Sequence, residues 1–258
     1  MLFAVDIGNT TILCAGMEDK QVLFSFRMST DKAKSAAEYT VKLREMMQVY
    51  AEDHAAPSGA VLSSVVPELT SALEQAVLKI FGLKAVVIKR DIMPDFAIDL
   101  DYPASIGSDR VADATAVTEE YPLPAIVFDL GTATTCSVID ETRTFRGGLI
   151  SPGVRTSSNA LLAKASQLTS YELGEPTALV GKNTEEAINS GIVFGHASMI
   201  DGLVRRIERQ TGKKYTVVLT GGLSGLIGKY CDYEICIDEF LILKGLWYLY
   251  HMWKKKAS

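Results

Sequence analysis

The chain carries one pattern twice, and this duplication constrains its fold more than any other feature. A short apolar run from Leu2 to Val5 ends in Asp6 and gives way to Gly8-Asn9-Thr10-Thr11. A β-rich run, Ile12 to Ala15, follows, then the turn Glu18-Asp19-Lys20 and a third run, Val22 to Phe26. Residues 125–148 repeat the order: Ala125 to Phe128 ends in Asp129, Gly131-Thr132-Ala133-Thr134-Thr135 opens the second strand, Asp140-Glu141 makes the acidic turn, and a third strand reaches Gly147-Gly148. Each copy reads as strand, turn, strand, turn, strand. Around the first copy, Ser35 to Asp53 has apolar positions near helical spacing. Ala60 to Leu62 and Ala85 to Ile88 read as buried strands, and Pro67 to Phe81 as a helix opened by proline. After the second copy come helical stretches Val154 to Ala165 and Thr184 to Gln210, and a strand Thr216 to Thr220. The turn Gly221-Gly222, a short strand Tyr233 to Ile237 and a C-terminal helix from about Glu239 complete the chain. Tyr121-Pro122-Leu123-Pro124 breaks any helix between the copies, so two α/β units are expected, 1–118 and 119–258.

Composition allows one large domain or two modest ones: 258 residues, 48% hydrophobic and 22% charged, at roughly 100 to 200 residues per domain. A net charge of -5 leaves no basic field for a nucleic acid backbone, so no nucleic acid partner is expected. Met1-Leu2-Phe3-Ala4-Val5-Asp6 lacks a basic leader, and no apolar run approaches the about 18 residues of a membrane span, which makes the cytoplasm the expected location. The four cysteines form no CxxC pair and the three histidines are scattered, so buried reduced thiols are expected in place of a zinc site. The aromatic stretch Phe240 to Trp253 with Lys254-Lys255-Lys256 has the look of a helix on a membrane surface, but Lys244-Gly245 interrupts its apolar face. Packing against the core or between domains is the reading taken, with the lysines suiting a helix C-terminus.

A strand that ends in Asp and turns through Gly and Thr places a carboxylate and several N–H groups at one lip of a sheet. Glycine lets a phosphate approach the backbone, and Asn9, Thr10 and Thr11 add side-chain donors. Asp-x-Gly turns also close ordinary hairpins, but two facing copies can hold the β- and γ-phosphates of a nucleotide from opposite sides. Asp6 can then sit beside the Mg²⁺ that neutralises charge in phosphoryl transfer. No P-loop or GxGxxG is present. Phosphoryl transfer to a hydroxyl needs a proton acceptor, and Gly107-Ser108-Asp109-Arg110 precedes a helix expected from Val111 to Glu120. Asp109 near that helix N-terminus is stabilised as the anion and Arg110 offers a fork for a carboxylate; the bland alternative is an acidic first turn with a surface arginine.

The duplicated hairpins resemble those of the actin, hexokinase and Hsp70 superfamily. That resemblance implies an α/β fold of duplicated ribonuclease H-like domains, each a mixed sheet flanked by helices, with a cleft between them. Asp6-Ile7-Gly8-Asn9-Thr10, Gly107-Ser108-Asp109-Arg110, Asp129-Leu130-Gly131-Thr132-Ala133-Thr134-Thr135, Gly147-Gly148-Leu149-Ile150-Ser151-Pro152-Gly153 and Thr220-Gly221-Gly222 resemble, in order and spacing, the motifs of type III pantothenate kinases. The resemblance implies transfer of the ATP γ-phosphoryl group to the primary hydroxyl of pantothenate, the first step of coenzyme A biosynthesis. It makes Asp109 the general base and Gly107, Ser108, Asp109 and Arg110 the pantothenate site. Asp6, Gly8, Asn9, Thr10, Thr11, Gly131, Thr132, Thr134 and Thr135 would hold ATP phosphates, with Gly221 and Gly222 near the adenosine. Asp129 matches a K⁺ or NH₄⁺ ligand, Asp6 lies near Mg²⁺, and Thr184 matches a pantothenate-contacting threonine near the interface of a homodimer. Two positions depart from the family: Ser108 stands where alanine is usual, and Leu100 where tyrosine is common, so that either Tyr102 substitutes from a shifted backbone or the pocket lacks that hydroxyl. A catalytically silent ligand-binding or regulatory relative, or a kinase of another small alcohol, is the alternative. Asp6, Asp109, Arg110 and Asp129 together favour the enzyme, because a binding protein needs no proton acceptor.

Overall fold

Strands β1 (Leu2–Ile7), β2 (Thr11–Glu18) and β3 (Gln21–Ser29) form an antiparallel meander in the computed structural model, which describes residues 1–164 and 172–257. Asp19 and Lys20, at φ 45° and 69°, make a two-residue turn with both residues in the left-handed region, which matches the right-handed twist of the flanking strands. β4 (Gly59–Ser64) pairs parallel with β1, and β5 (Val86–Val87) parallel with β4, giving the order β3-β2-β1-β4-β5. Central parallel strands are covered on both faces, which explains the unbroken apolar runs read in β1 and β4. The first crossover helix, α1 (Ala36–Tyr50), starts at a reciprocal Ser35 and Glu38 capping box; α2 (Pro67–Phe81) has proline in its first turn and stops at left-handed Gly82. Phe3, Val5, Ile7, Tyr39, Leu43, Leu69 and Leu73 meet in the core of this unit.

α3 (Ser108–Glu120) follows, and the same topology then repeats. β6 (Ala125–Leu130), β7 (Ala133–Ile139) and β8 (Phe145–Pro152) form a second meander. α4 (Val154–Lys164) and the 28-residue α5 (Thr184–Thr211) lead to β9 (Thr216–Thr220), parallel with β6; the expected end of α4 at Ala165 lies outside the described residues. α6 (Ser224–Gly228) and β10 (Ile235–Ile237) complete a sheet of order β10-β9-β6-β7-β8, the first sheet's order read from its other edge. This is the duplicated α/β arrangement that the two hairpins imply.

The chain divides into a unit of Met1–Ala97, Asp101–Glu119 and Phe240–Ser258 and a unit of Ile98–Leu100 and Glu120–Glu239. The expected 119–258 unit is therefore corrected at its end. Helix α7 (Leu241–Ala257) packs on β1 and β4 of the first unit and buries Leu241, Leu243, Leu246 and Leu249. Gly245, which looked like an interruption of the apolar face, is the point of closest approach: a Cβ there would collide with the Ala112 carbonyl of α3. The 98–100 segment joins the second unit through a bridge from Ile98 to Phe145 and an Asp99 N–H to Phe145 O bond of 2.9 Å. Arg146 reinforces it, reaching Asp99 at 2.6 Å and Asp140 at 2.7 Å.

Candidate functional site

In the first unit Asp6 stands one residue from the end of β1, in register with Leu13 on β2 and Ser63 on β4. The loop Gly8 to Thr10 is tied back on itself. Gly8 N–H donates to Thr11 O at 3.0 Å, Thr30 Oγ1 donates to Gly8 O at 2.6 Å, and Thr30 N–H donates to Thr10 O at 3.0 Å. These bonds occupy the loop carbonyls and leave Asn9 and Thr10 exposed. A Cβ on Gly8 would lie 3.0 Å from Thr11 O, so the turn is closed around a bare backbone.

Asp109 lies in the first turn of α3, which begins at Ser108 and not at Val111 as expected, because Gly107 O accepts Val111 N–H at 3.1 Å. Asp109 Oδ1 accepts the Arg110 N–H at 2.7 Å, and a Cβ on Gly107 would run into that same oxygen. Glycine at 107 is thus what lets the carboxylate fold over the helix N-terminus, where the dipole favours its charge. Asp109 and Arg110 are both partly exposed. Ser108 is not: its side chain is buried, and its Oγ accepts from Ser64 N–H and Ser63 Oγ, each at 3.0 Å, and donates to Ser64 O at 2.9 Å. The Ser108 hydroxyl is therefore turned inward and bonded to β4. Since Ser63 is the register partner of Asp6, these bonds bring Asp6, Ser108 and Asp109 to one end of the first sheet. Tyr102, at 77% exposure, precedes the 3-10 turn Pro103–Ser105 and has its carbonyl bonded by Ser105.

In the second unit Asp129 occupies the place of Asp6, in register with Thr135 on β7 and Thr220 on β9. Gly221 follows at φ 90°, and a Cβ there would lie 2.6 Å from Asp129 Oδ1 and 2.8 Å from the Leu130 backbone. The Asp129 carboxylate and the Gly221-Gly222 turn are thereby one structure, with Gly222 exposed. Gly131 and Thr132 form the exposed β6 to β7 turn; Thr132 O accepts from Gly153 N–H at 3.1 Å and from Thr156 Oγ1 at 2.6 Å. The start of α4 is thus seated directly on this turn. Thr134 shares a strand face with Cys136, a core residue, and its buried Oγ1 has no hydrogen-bond partner among the described residues. Thr135, on the opposite face, is partly exposed. Thr184 is the exposed first residue of α5, after Asn183, whose side chain accepts Glu186 N–H; among the described residues no hydrogen bond links Thr184 to the Asp129 turn. Leu100 lies 3.6 Å from where a Gly147 Cβ would stand.

No group of three or more His, Cys, Asp or Glu gathers among the described residues. A cation at Asp6 or Asp129 would therefore rely on one carboxylate, neighbouring backbone or hydroxyl oxygens, and the ligand. That donor set suits Mg²⁺, which is usually held by one or two carboxylates together with substrate phosphates. The residues sequence reasoning missed are Ser63, Ser64 and Lys89, whose Nζ donates to Ala104 O at 2.8 Å and to Ile106 O. The only available signal was a pair of serines closing an apolar strand.

The model of the type III pantothenate kinase family matches residues 2–206. A type III pantothenate kinase of Halalkalibacterium halodurans is 37% identical over 250 residues, covering 97% of this chain and 98% of that one. One from Bacillus cytotoxicus is 35% identical over 250 residues, covering 97% and 95%. Among solved structures, the activator of the 2-hydroxyisocaproyl-CoA dehydratase from Clostridium difficile with bound ADPNP superposes with a TM-score of 0.58 at 14% identity, covering 99% and 96%. This likeness extends the duplicated ribonuclease H-like fold over the whole chain.

Proposed function

The chain belongs to the type III pantothenate kinase family, and from that membership we infer that it transfers the γ-phosphoryl group of ATP to the primary hydroxyl of pantothenate, giving 4'-phosphopantothenate and ADP in the first step of coenzyme A biosynthesis. The observation that supports it best is Asp109. Its Oδ1 is held by the Arg110 N–H while Gly107 keeps space beside it, which leaves Oδ2 to receive a proton. In the reaction the pantothenate oxygen bonds to the γ-phosphorus as the bond to the β,γ-bridging oxygen breaks, and the hydroxyl proton passes to Asp109. Arg110 pairs with the pantothenate carboxylate, for which a guanidinium fork is suited. The Gly8 to Thr11 and Gly131 to Thr132 turns bind the phosphates with Thr135, and Gly221-Gly222 lies by the adenosine.

Mg²⁺, when bound, neutralises the charge that spreads over the phosphoryl oxygens. Asp6 would hold it, and Asp129 would hold K⁺ or NH₄⁺. The protein acts as a cytoplasmic homodimer in this reading, with Thr184 contacting pantothenate near the subunit interface. The deciding experiment is ADP release over a panel of pantothenate, hexoses and glycerol. Release with pantothenate alone is expected; preference for another alcohol would replace the acceptor, and no alcohol-dependent release would make the protein a binding relative.

A further inference from the structure

Strand β5 ends early, and what replaces it bears on Asp109. Ile88 N–H donates to Leu62 O at 2.9 Å, so a strand continuing in register would next have met Ser64. Lys89, at φ 67°, turns the chain out of the sheet instead; its N–H bonds to Ile92 O at 2.8 Å and the Asp91 N–H to Val87 O at 2.8 Å. A left-handed φ is uncommon for a residue with a side chain. On β4's other flank Val65 N–H bonds to Ile7 O at 3.0 Å. By strand alternation, Ser64 then points its own N–H and C=O to the side that β5 has left.

One atom takes both. Ser108 Oγ accepts the Ser64 N–H and donates to the Ser64 O, standing in for the absent strand, and Ser63 Oγ adds a third bond from a fully buried position. Lys89 completes the substitution from the other end. Having led the backbone away, it returns its ammonium to the carbonyls of Ala104 and Ile106, immediately before Gly107. The segment 104–108 is thereby fixed at both ends by polar bonds to the edge of the sheet. Asp109 and Arg110 are the next two residues.

We propose that Lys89 and Ser108 are positioning residues for phosphoryl transfer, replacing the missing β5 ladder with side-chain bonds that hold 104–108 and so set where Asp109 and Arg110 point. The inference rests on the kinase reading for its effect on turnover, but the mount itself is a property of the fold. Reactive groups held by supporting bonds keep the geometry that phosphoryl transfer depends on, and small displacements there cost rate disproportionately.

The test compares Lys89→Met, which keeps the stem and removes the donors, with Lys89→Arg, which keeps donors, and with Ser108→Ala. Steady-state kinetics are read beside amide hydrogen exchange over residues 104–110. Lys89→Met is expected to lower kcat about tenfold or more and raise the pantothenate KM, leaving the ATP KM within about twofold. Exchange should quicken over 104–110 while β1 and β4 stay protected. Lys89→Arg should recover most of the loss, and Ser108→Ala should move the same readouts by a smaller factor. Unchanged kinetics and exchange in Lys89→Met would overturn the proposal. So would exchange that rises equally through β1 and β4, since the core and not the mount would then have failed. A wild-type protein without pantothenate-dependent turnover would refute the kinase reading, while the localised exchange would still decide the mount.

Discussion

Asp109 and Arg110 sit side by side in one helical turn, yet substitutions there should fail in different ways. Asp109→Asn keeps shape and an acceptor but loses basicity, so kcat should fall by about 10² to 10⁴ while calorimetry finds pantothenate binding largely retained. Turnover within a few-fold of wild type would remove Asp109 from proton transfer. Arg110→Lys keeps charge and loses the planar fork, so the pantothenate KM should rise far more than the ATP KM; equal rises would sink the carboxylate pairing. On spacing alone these two residues also fit an acidic first turn with a surface arginine, and it was the resemblance of the whole Gly107 to Arg110 motif that singled them out. Ser108 and Thr134 were legible as residue types but not as directions. Ser108 turns inward because Ser64 lacks a strand partner, and Thr134 because strand alternation puts it on the face of Cys136.

At the level of elements, the helices with strong punctuation were the most readable. Asn183 caps α5 at the expected start, and the Ser35 and Glu38 box opens α1. The early end of β5 was hidden, since an apolar run gives no warning that Lys89 will take a left-handed conformation. The β7 to β8 turn has a different dependence, on acid. Burial alone would raise the pKa of Asp140, but bonds from Thr142, Thr144 and Arg146 outweigh it and hold the carboxyl well below the usual range. A depressed folded pKa contributes stability that is complete above the unfolded value of about 3.9 and is lost as pH falls below it. Asp140→Asn should therefore be less stable at neutral pH and show a flatter acid limb in unfolding midpoint against pH. Parallel acid limbs would show that Asp140 ionisation contributes little. The contact of α7 with α3 is tested by Gly245→Val, whose branched side chain meets the Ala112 backbone. Overpacking of this kind costs about 1 to 3 kcal/mol, read as a lower denaturant midpoint; an unchanged midpoint would mean the helices part freely.

For the whole molecule, the repeat of strands was enough to expect two sheets of one topology, because each copy carries its own turn chemistry. It was not enough to assign α7. Periodicity reports that Leu241, Leu246 and Leu249 are covered, not which sheet covers them. If Asp6 and Asp129 serve two different cations, turnover should require Mg²⁺ and also fall when Na⁺ replaces K⁺ or NH₄⁺. Equal rates in Na⁺ and K⁺ would remove the monovalent role of Asp129. The placement of α7 also orders the protein in time. The first unit takes its sheet from the beginning of the chain and a covering helix from residues 241–257. During synthesis Asp6, Asp109 and Arg110 leave the ribosome long before the leucines that cover β1 and β4. Within the first unit, burial of this face of β1 and β4 therefore waits on residues made after the whole of 120–239.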